Sequence, residues 1–214
     1  PTLSQAQDDP QRLKAMTRRA IQTSTYIMAP VMMGLAAVAE PLIRLLLTEK
    51  WLPCVPFLRI FCVTYMLYPV HTANLNAIKA MGRSDLTLKL EVIKKTMGLA
   101  FLLGSMWLGV LAMAYSLLIT GVLSQIINAW PNRRLLDYGY WEQLKDILPG
   151  IALAVGMGLC VYALSFLGLP TAATLLLQVL LGVGIYVGGS VLLKLETYRY
   201  LFGLTRSFFR KCRS

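Results

Sequence analysis

Thr96–Asn128 reads TMGLAFLLGSMWLGVLAMAYSLLITGVLSQIIN and carries no charged side chain. As one helix rising 1.5 Å per residue it would be roughly 50 Å long, against a hydrocarbon core about 30 Å thick. The stretch must therefore cross a bilayer, turn and cross back. The turn is expected at Trp107-Leu108-Gly109-Val110, with spans over 90–107 and 111–131 on either side.

Four further apolar stretches flank this hairpin, at 23–47, 54–78, 147–167 and 171–193. Basic residues crowd the N-terminal segment and then every second connection. Of 21 Lys and Arg, all but Arg44, Lys50 and Arg59 lie in the lead-in, around the link from the second to the third span, in 132–146 or in the tail. That is the positive-inside pattern. It predicts an all-α integral membrane chain of six transmembrane helices with both termini cytosolic.

Composition agrees. Hydrophobic residues make up 57% and charged residues 14%, where a soluble domain averages about 25% charged. Mean hydropathy is +0.60. A net charge of +11 on a soluble module would suggest nucleic acid. Here the positives border apolar spans, so they read as orientation signals and anionic-lipid contacts, and no nucleic acid partner is expected. Cys54, Cys62, Cys160 and Cys212 form no C-x-x-C pair, and His71 is the one histidine. A zinc site needs about four clustered ligands, so neither metal nor cofactor is expected. No phosphate loop or nucleophile–base grouping stands out, which argues against an enzyme.

The organisation follows from these spans. Residues 1–22 form a cytosolic amphipathic lead-in, with Asp9 as cap and Pro10 in the first helical turn. Residues 23–131 form a four-helix part of a lobe, 132–146 a cytosolic linker, 147–193 two trailing helices and 194–214 a basic tail. The tail interleaves Phe202, Phe208 and Phe209 with Lys194, Arg199, Arg206, Arg210, Lys211 and Arg213, a composition suited to anionic lipid. Gly82 ends a helix, and Ser84 or Asp85 caps the next. Tyr138, Tyr140 and Trp141 suit an interfacial helix in the linker. Gly184 and Gly188 make a G-x-x-x-G packing face, and an uncharged Gly168-Leu169-Pro170 links the last two spans.

Polar groups inside spans narrow the function. Glu40 and Arg44, four apart, share a helix face and can pair. The second half of span two, Tyr68-Pro69-Val70-His71-Thr72-Ala73-Asn74-Leu75-Asn76, is polar for a membrane segment and should face the bundle interior. Span four carries Ser116, Thr120, Ser124 and Asn128 at four-residue spacing, with Gln125 beside them. Such stripes serve helix packing or line a hydrated cavity. Without a partner lobe, the span-four stripe would be bared to lipid.

Several motifs carry a family resemblance. The opening Pro1-Thr2-Leu3-Ser4-Gln5-Ala6-Gln7-Asp8-Asp9 resembles the mid-chain P-x-L-S segment of polysaccharide exporters of the lipopolysaccharide-flippase type. Ala39-Glu40-Pro41-Leu42-Ile43-Arg44, with Glu49-Lys50-Trp51, is similar to that family's next stretch. So are Ala80-Met81-Gly82-Arg83-Ser84-Asp85 and Glu91-Val92-Ile93-Lys94-Lys95. The resemblance covers about 1–135, and the last two spans by architecture. These motifs also occur loosely among multidrug exporters and lipid-linked peptidoglycan-precursor flippases.

The resemblance implies most of the second lobe of a two-lobe alternating-access transporter in the bacterial inner membrane. The chain, which opens on Pro1 without an initiator Met, is then a C-terminal piece whose partner is a missing N-terminal lobe. Its cargo would be an oligosaccharide linked to undecaprenyl diphosphate, for O-antigen, capsule or exopolysaccharide. His71, Asn74, Asn76, Ser116, Thr120, Ser124 and Gln125 are the substrate-path candidates. Lys79, Arg83, Lys94 and Lys95 could attract the diphosphate. A cation-coupled multidrug exporter of the same superfamily is one alternative. A non-transporting scaffold for polysaccharide-assembly enzymes is the other. Sugar repeat, coupling ion and oligomeric state are not encoded legibly.

Overall fold

A computed structural model describes residues 9–167, 170–201 and 203. The opening Pro1–Asp8 motif, the Gly168-Leu169 link and the tail from Leu204 lie outside the described residues, as do Phe202 and Cys212. Every regular element among the described residues is helical. The α-helices are α1 (Pro10–Ala37), α2 (Ala39–Leu46), α3 (Val55–Met66), α4 (Tyr68–Ala80), α5 (Ser84–Met106), α6 (Val110–Leu136), α7 (Tyr140–Ala163) and α8 (Thr171–Leu192). Short 3-10 turns at Glu49–Cys54 and Leu164–Leu167 join them.

The Asp9 carboxylate accepts hydrogen bonds from the backbone N–H groups of Gln11 and Arg12, at 3.1 and 3.0 Å. It thus satisfies donors that no helical carbonyl can reach, and Pro10 needs no donor there. The lead-in and first span form one helix until Val38, where α2 departs at 66°. The second span is also interrupted, at Leu67 before Pro69. The uncharged stretch turns where its length demanded: α5 stops at Met106, Gly109 takes φ +94°, and α6 starts at Val110. That left-handed φ is one glycine adopts freely.

Four helical stretches are long and apolar enough to cross a membrane: Glu49–Ala80, Val110–Leu136, Tyr140–Leu167 and Thr171–Leu192. The bent α1–α2 pair makes a fifth. The sixth expected span is α5, which falls short by composition because Asp85, Lys89, Glu91, Lys94 and Lys95 charge its first half. Large apolar side chains such as Leu176, Leu180, Val183 and Leu192 are exposed along α8, as suits a surface solvated by lipid. The chain is a multi-pass membrane protein.

Helix α1 is the hub. It lies along α7 on one side, against α3 and α4 on another, and touches α8. Helix α6 packs on α3 and α4 and pairs with α5 at the outer edge. One buried cluster joins Ala29, Val38, Met66, Met157 and Tyr186, and another joins Leu13, Ile21, Val70, Leu136 and Tyr138.

Some local expectations are corrected. Arg83, not Ser84 or Asp85, occupies the N-cap of α5, without a side-chain capping bond, although Gly82 does take φ +71°. Tyr140 and Trp141 begin α7 itself instead of a separate interfacial helix, and Tyr138 is fully buried. Gly184 and Gly188 face outward, with nothing within 4 Å of where a Cβ would stand. The close packing falls instead to Gly182, where a Cβ would lie 3.3 Å from Val161 Cγ2, and Gly189, where it would lie 2.5 Å from Leu153 Cδ1. Nor is the span-four stripe bared. Ser116, Thr120, Gln125 and Asn128 are buried in α6, and it is the neighbouring helices α3, α4 and α5 that cover this side.

Candidate functional site

Two polar regions meet along α4, one closed and one open. The closed region is a side-chain amide junction among α4, α6 and α7. Asn74 and Gln143 exchange two hydrogen bonds: Asn74 Nδ2 donates to Gln143 Oε1 at 2.8 Å, and Gln143 Nε2 donates to Asn74 Oδ1 at 2.9 Å. Asn132 Nδ2 donates to the same Asn74 Oδ1 at 2.6 Å and to the Asn74 carbonyl at 3.2 Å. Gln143 also donates to the Tyr138 carbonyl at 3.1 Å. All three amides are buried. One helical turn back from Asn132, Asn128 Nδ2 donates to His71 Nδ1 at 2.8 Å, and the Tyr68 ring stacks on the imidazole at 5.6 Å. An amide can give and accept at once, so Asn74 and Gln143 satisfy each other and, with Asn132, knit three helices without charge, while Asn128 Oδ1 and Asn132 Oδ1 stay buried without a partner among the described residues.

An ionic patch extends this junction toward the start of α1. Arg18 meets Asp146 at 2.5 Å and Glu142 at 3.6 Å. Lys14 meets Glu142 at 3.4 Å and donates to the Asp137 carbonyl. Tyr138 donates to Asp146 at 2.8 Å. Burial, and then the Asp146 carboxylate, push the Tyr138 phenol well above its usual range, so it stays a neutral donor.

The open region is a groove between α1 and α4. Its volume is about 260 Å³, and Thr17, Ser24, Thr72 and Asn76 line it with Pro69 and two alanines. Thr17 Oγ1 is buried and has no hydrogen-bond partner among the described residues. Thr72 and Asn76, four apart, present one face of α4 to the groove, while Asn74 points the other way into the junction. Lys79 follows Asn76 by three residues and is exposed.

The predicted site residues thus fall into separate places. Asn76 lines the groove, Asn74 belongs to the closed junction, and His71 is half-buried against Asn128. Ser116 bonds within the α5–α6 seam: Ser105 Oγ donates to its Oγ at 3.3 Å, and Thr120 donates to its carbonyl at 2.9 Å. Gln125 is buried, and Ser124 half-buried. Of the four cations, Lys79 and Lys95 are exposed, Arg83 pairs with Asp85 at 3.4 Å, and Lys94 is buried with Glu91 at 2.6 Å. Gln143, Asn132, Thr17 and Ser24 were not singled out from the sequence, and Thr72 stood only within the polar half of span two. Asn132 continues the four-residue spacing of the span-four stripe, which was a usable signal. Gln143 lay in a stretch read as linker and gave none.

This architecture matches a known one. Over 94% of this chain and 42% of the other, it superposes on a lipid II flippase, MurJ, in an inward closed conformation, with a TM-score of 0.74 and 18% identity. The fold is therefore shared with a part of that structure. A family model described as a polysaccharide biosynthesis protein matches residues 1–56. An uncharacterized membrane protein in the cps region of Klebsiella pneumoniae is 22% identical over 87% of this chain and 39% of its own length. The lipopolysaccharide biosynthesis protein WzxC of Escherichia coli is 24% identical over 60% of this chain and 26% of its own. The teichuronic acid biosynthesis protein TuaB of Bacillus subtilis is 23% identical over 64% and 28%. The chain is thus similar to proteins of polysaccharide biosynthesis and to a flippase fold, and it spans well under half the length of these relatives.

Proposed function

We propose that this chain is most of the second lobe of a transporter that moves an undecaprenyl-diphosphate-linked oligosaccharide across the bacterial inner membrane. The six helical segments are read as six spans with both termini cytosolic. The two trailing helices are α7 and α8, and an N-terminal lobe completes the cavity. The observation that carries the reading is the α1–α4 groove, a hydroxyl- and amide-lined face within helices built to cross lipid. Sugars need hydrogen-bonding partners along their path, and polar side chains facing lipid are costly. A hydrated interior reconciles both. Lys79, next along α4 from Asn76, and Arg83 would draw the diphosphate toward that groove. His71 on α4 itself, and Ser116, Thr120, Ser124 and Gln125 on the neighbouring α6, would shape the path from within the bundle.

The test is made in the host. The gene is deleted, and the leaflet in which lipid-linked oligosaccharide accumulates is measured by accessibility to an external probe. Build-up in the cytosolic leaflet, reversed by the intact gene, is expected. Normal export together with increased sensitivity to cationic drugs would overturn the reading in favour of drug export.

A further inference from the structure

The ends of α7 and α8 remote from the ionic patch frame, with α2, a pocket of about 390 Å³. Glu40 and Arg44 line it from α2, Tyr162 from α7, Ser165 and Phe166 from the 3-10 turn, and Thr171 from the start of α8. It is a separate place from the α1–α4 groove, since α1 rises roughly 20 Å from Ser24 in the groove to its end at Ala37. We propose that this pocket is a saccharide site on the non-cytosolic face of the lobe, where it holds a neutral sugar unit of the oligosaccharide once that unit has crossed. This site deepens the transport reading above and rests on its cargo and orientation.

The lining suits a sugar and repels an anion. Arg44 is its one cation, and Glu40 at 3.1 Å and Glu49 at 2.9 Å already engage it. A phosphate would meet those carboxylates. Glu40 spends only Oε1 on Arg44. Its Oε2, like the Tyr162 and Thr171 hydroxyls, has no hydrogen-bond partner among the described residues. Ser165 accepts from Gln178 Nε2 at 3.0 Å and keeps its own proton to give. A sugar hydroxyl both gives and accepts, so it can use a carboxylate oxygen and protein hydroxyls alike. These groups converge on one pocket whose volume lies within the range of small-ligand sites, about 300–1,000 Å³. The aromatic side chains complete the match. The Arg59 guanidinium stands 5.2 Å from the Tyr162 ring centroid, and Phe166 meets the same ring nearly edge-on at 5.6 Å, so two neighbours hold it. Phe166 itself is 76% exposed, a large ring left open beside polar groups. The C–H edges of a pyranose are apolar and slightly positive, and an aromatic face is negative. A ring set beside a carboxylate and hydroxyls therefore meets both kinds of surface that a sugar presents.

Saturation-transfer NMR on the intact protein in lipid nanodiscs tests the site. The probe is the host's own repeat-unit oligosaccharide, released from its lipid diphosphate so that neither chain nor phosphate contributes. The wild type should bind it. Glu40→Gln together with Phe166→Ala should weaken binding roughly tenfold at an unchanged thermal midpoint, since neither side chain is buried. Thr171→Val should weaken it several-fold by itself, and carries the test if the double variant melts early. Asn76→Leu, in the groove, should keep most of the signal. Equal binding in all variants would overturn the proposal. So would loss with Asn76→Leu alone, which would put the sugars in the groove. Competition by glycerol 3-phosphate would make the pocket a lipid-headgroup site and overturn it as well. No binding to the wild type, in a host where gene deletion traps oligosaccharide in the cytosolic leaflet, would overturn the site and leave transport standing. No binding together with normal export after deletion would overturn both.

Discussion

Asn74 and Asn76 stand two residues apart on α4 and meet opposite fates. Asn74 enters a junction where both ends of its amide are bonded to buried side chains, and Asn76 is exposed along an open groove. Both would look alike to any scale of polarity. What separates them is hydrogen-bond closure. A polar side chain whose partners are all protein holds helices together, whereas one facing an open groove remains available to a passing solute.

That contrast is most directly broken at Asn74. Asn74→Leu strands Gln143 and Asn132 in a buried site and should cost about 2–3 kcal/mol. Folded protein in the membrane should fall sharply, as read by detergent-solubilised thermal stability. Intact protein levels with lost export would instead move Asn74 into the path. Asp146→Asn comes next. It weakens the Arg18 and Tyr138 contacts and should cost about 1–2 kcal/mol, seen as a lower thermal midpoint with export retained at permissive temperature. Gly189→Ala should cost about 1 kcal/mol, because the new Cβ pushes the tip of Leu153 aside, while Gly184→Ala should be neutral in the same melt. The smallest stability effect belongs to the open side. Asn76→Leu and Thr72→Val should shift stability by less than about 0.5 kcal/mol and yet reduce oligosaccharide export several-fold. If export is untouched, the groove is not the path.

Much of the scaffold was legible because it rests on local or one-dimensional constraints. An uncharged run too long for one crossing forces a turn, and Gly109 supplies it. Asp9 before Pro10 marks a helix start, and Glu40–Arg44 at helical spacing pairs at 3.1 Å, with Glu49 joining at 2.9 Å. What was illegible depends on which helix faces which. Gly184 and Gly188 had the right spacing, but α8 turns Gly182 and Gly189 toward α7. Tyr138 looked interfacial among charges, yet a carboxylate from the next helix draws its hydroxyl inward. The charged first half of α5 likewise could not be weighed against its apolar second half until the helix was seen as one piece. The groove needed both α1 and α4, and nothing in either alone distinguishes Thr17 from the other threonines.

Helix α1 is fastened twice along its length, by Lys14 and Arg18 to the acidic start of α7 and by Tyr26 to the far end of α8. Mechanically, these are two rivets on one beam. A push on its N-terminal end is carried into the trailing helices before it can bend α1 between them. Beyond the second rivet the chain bends by 66° into α2, which packs back on α8. Any rigid-body motion would therefore carry α1, α7 and α8 together as one strut.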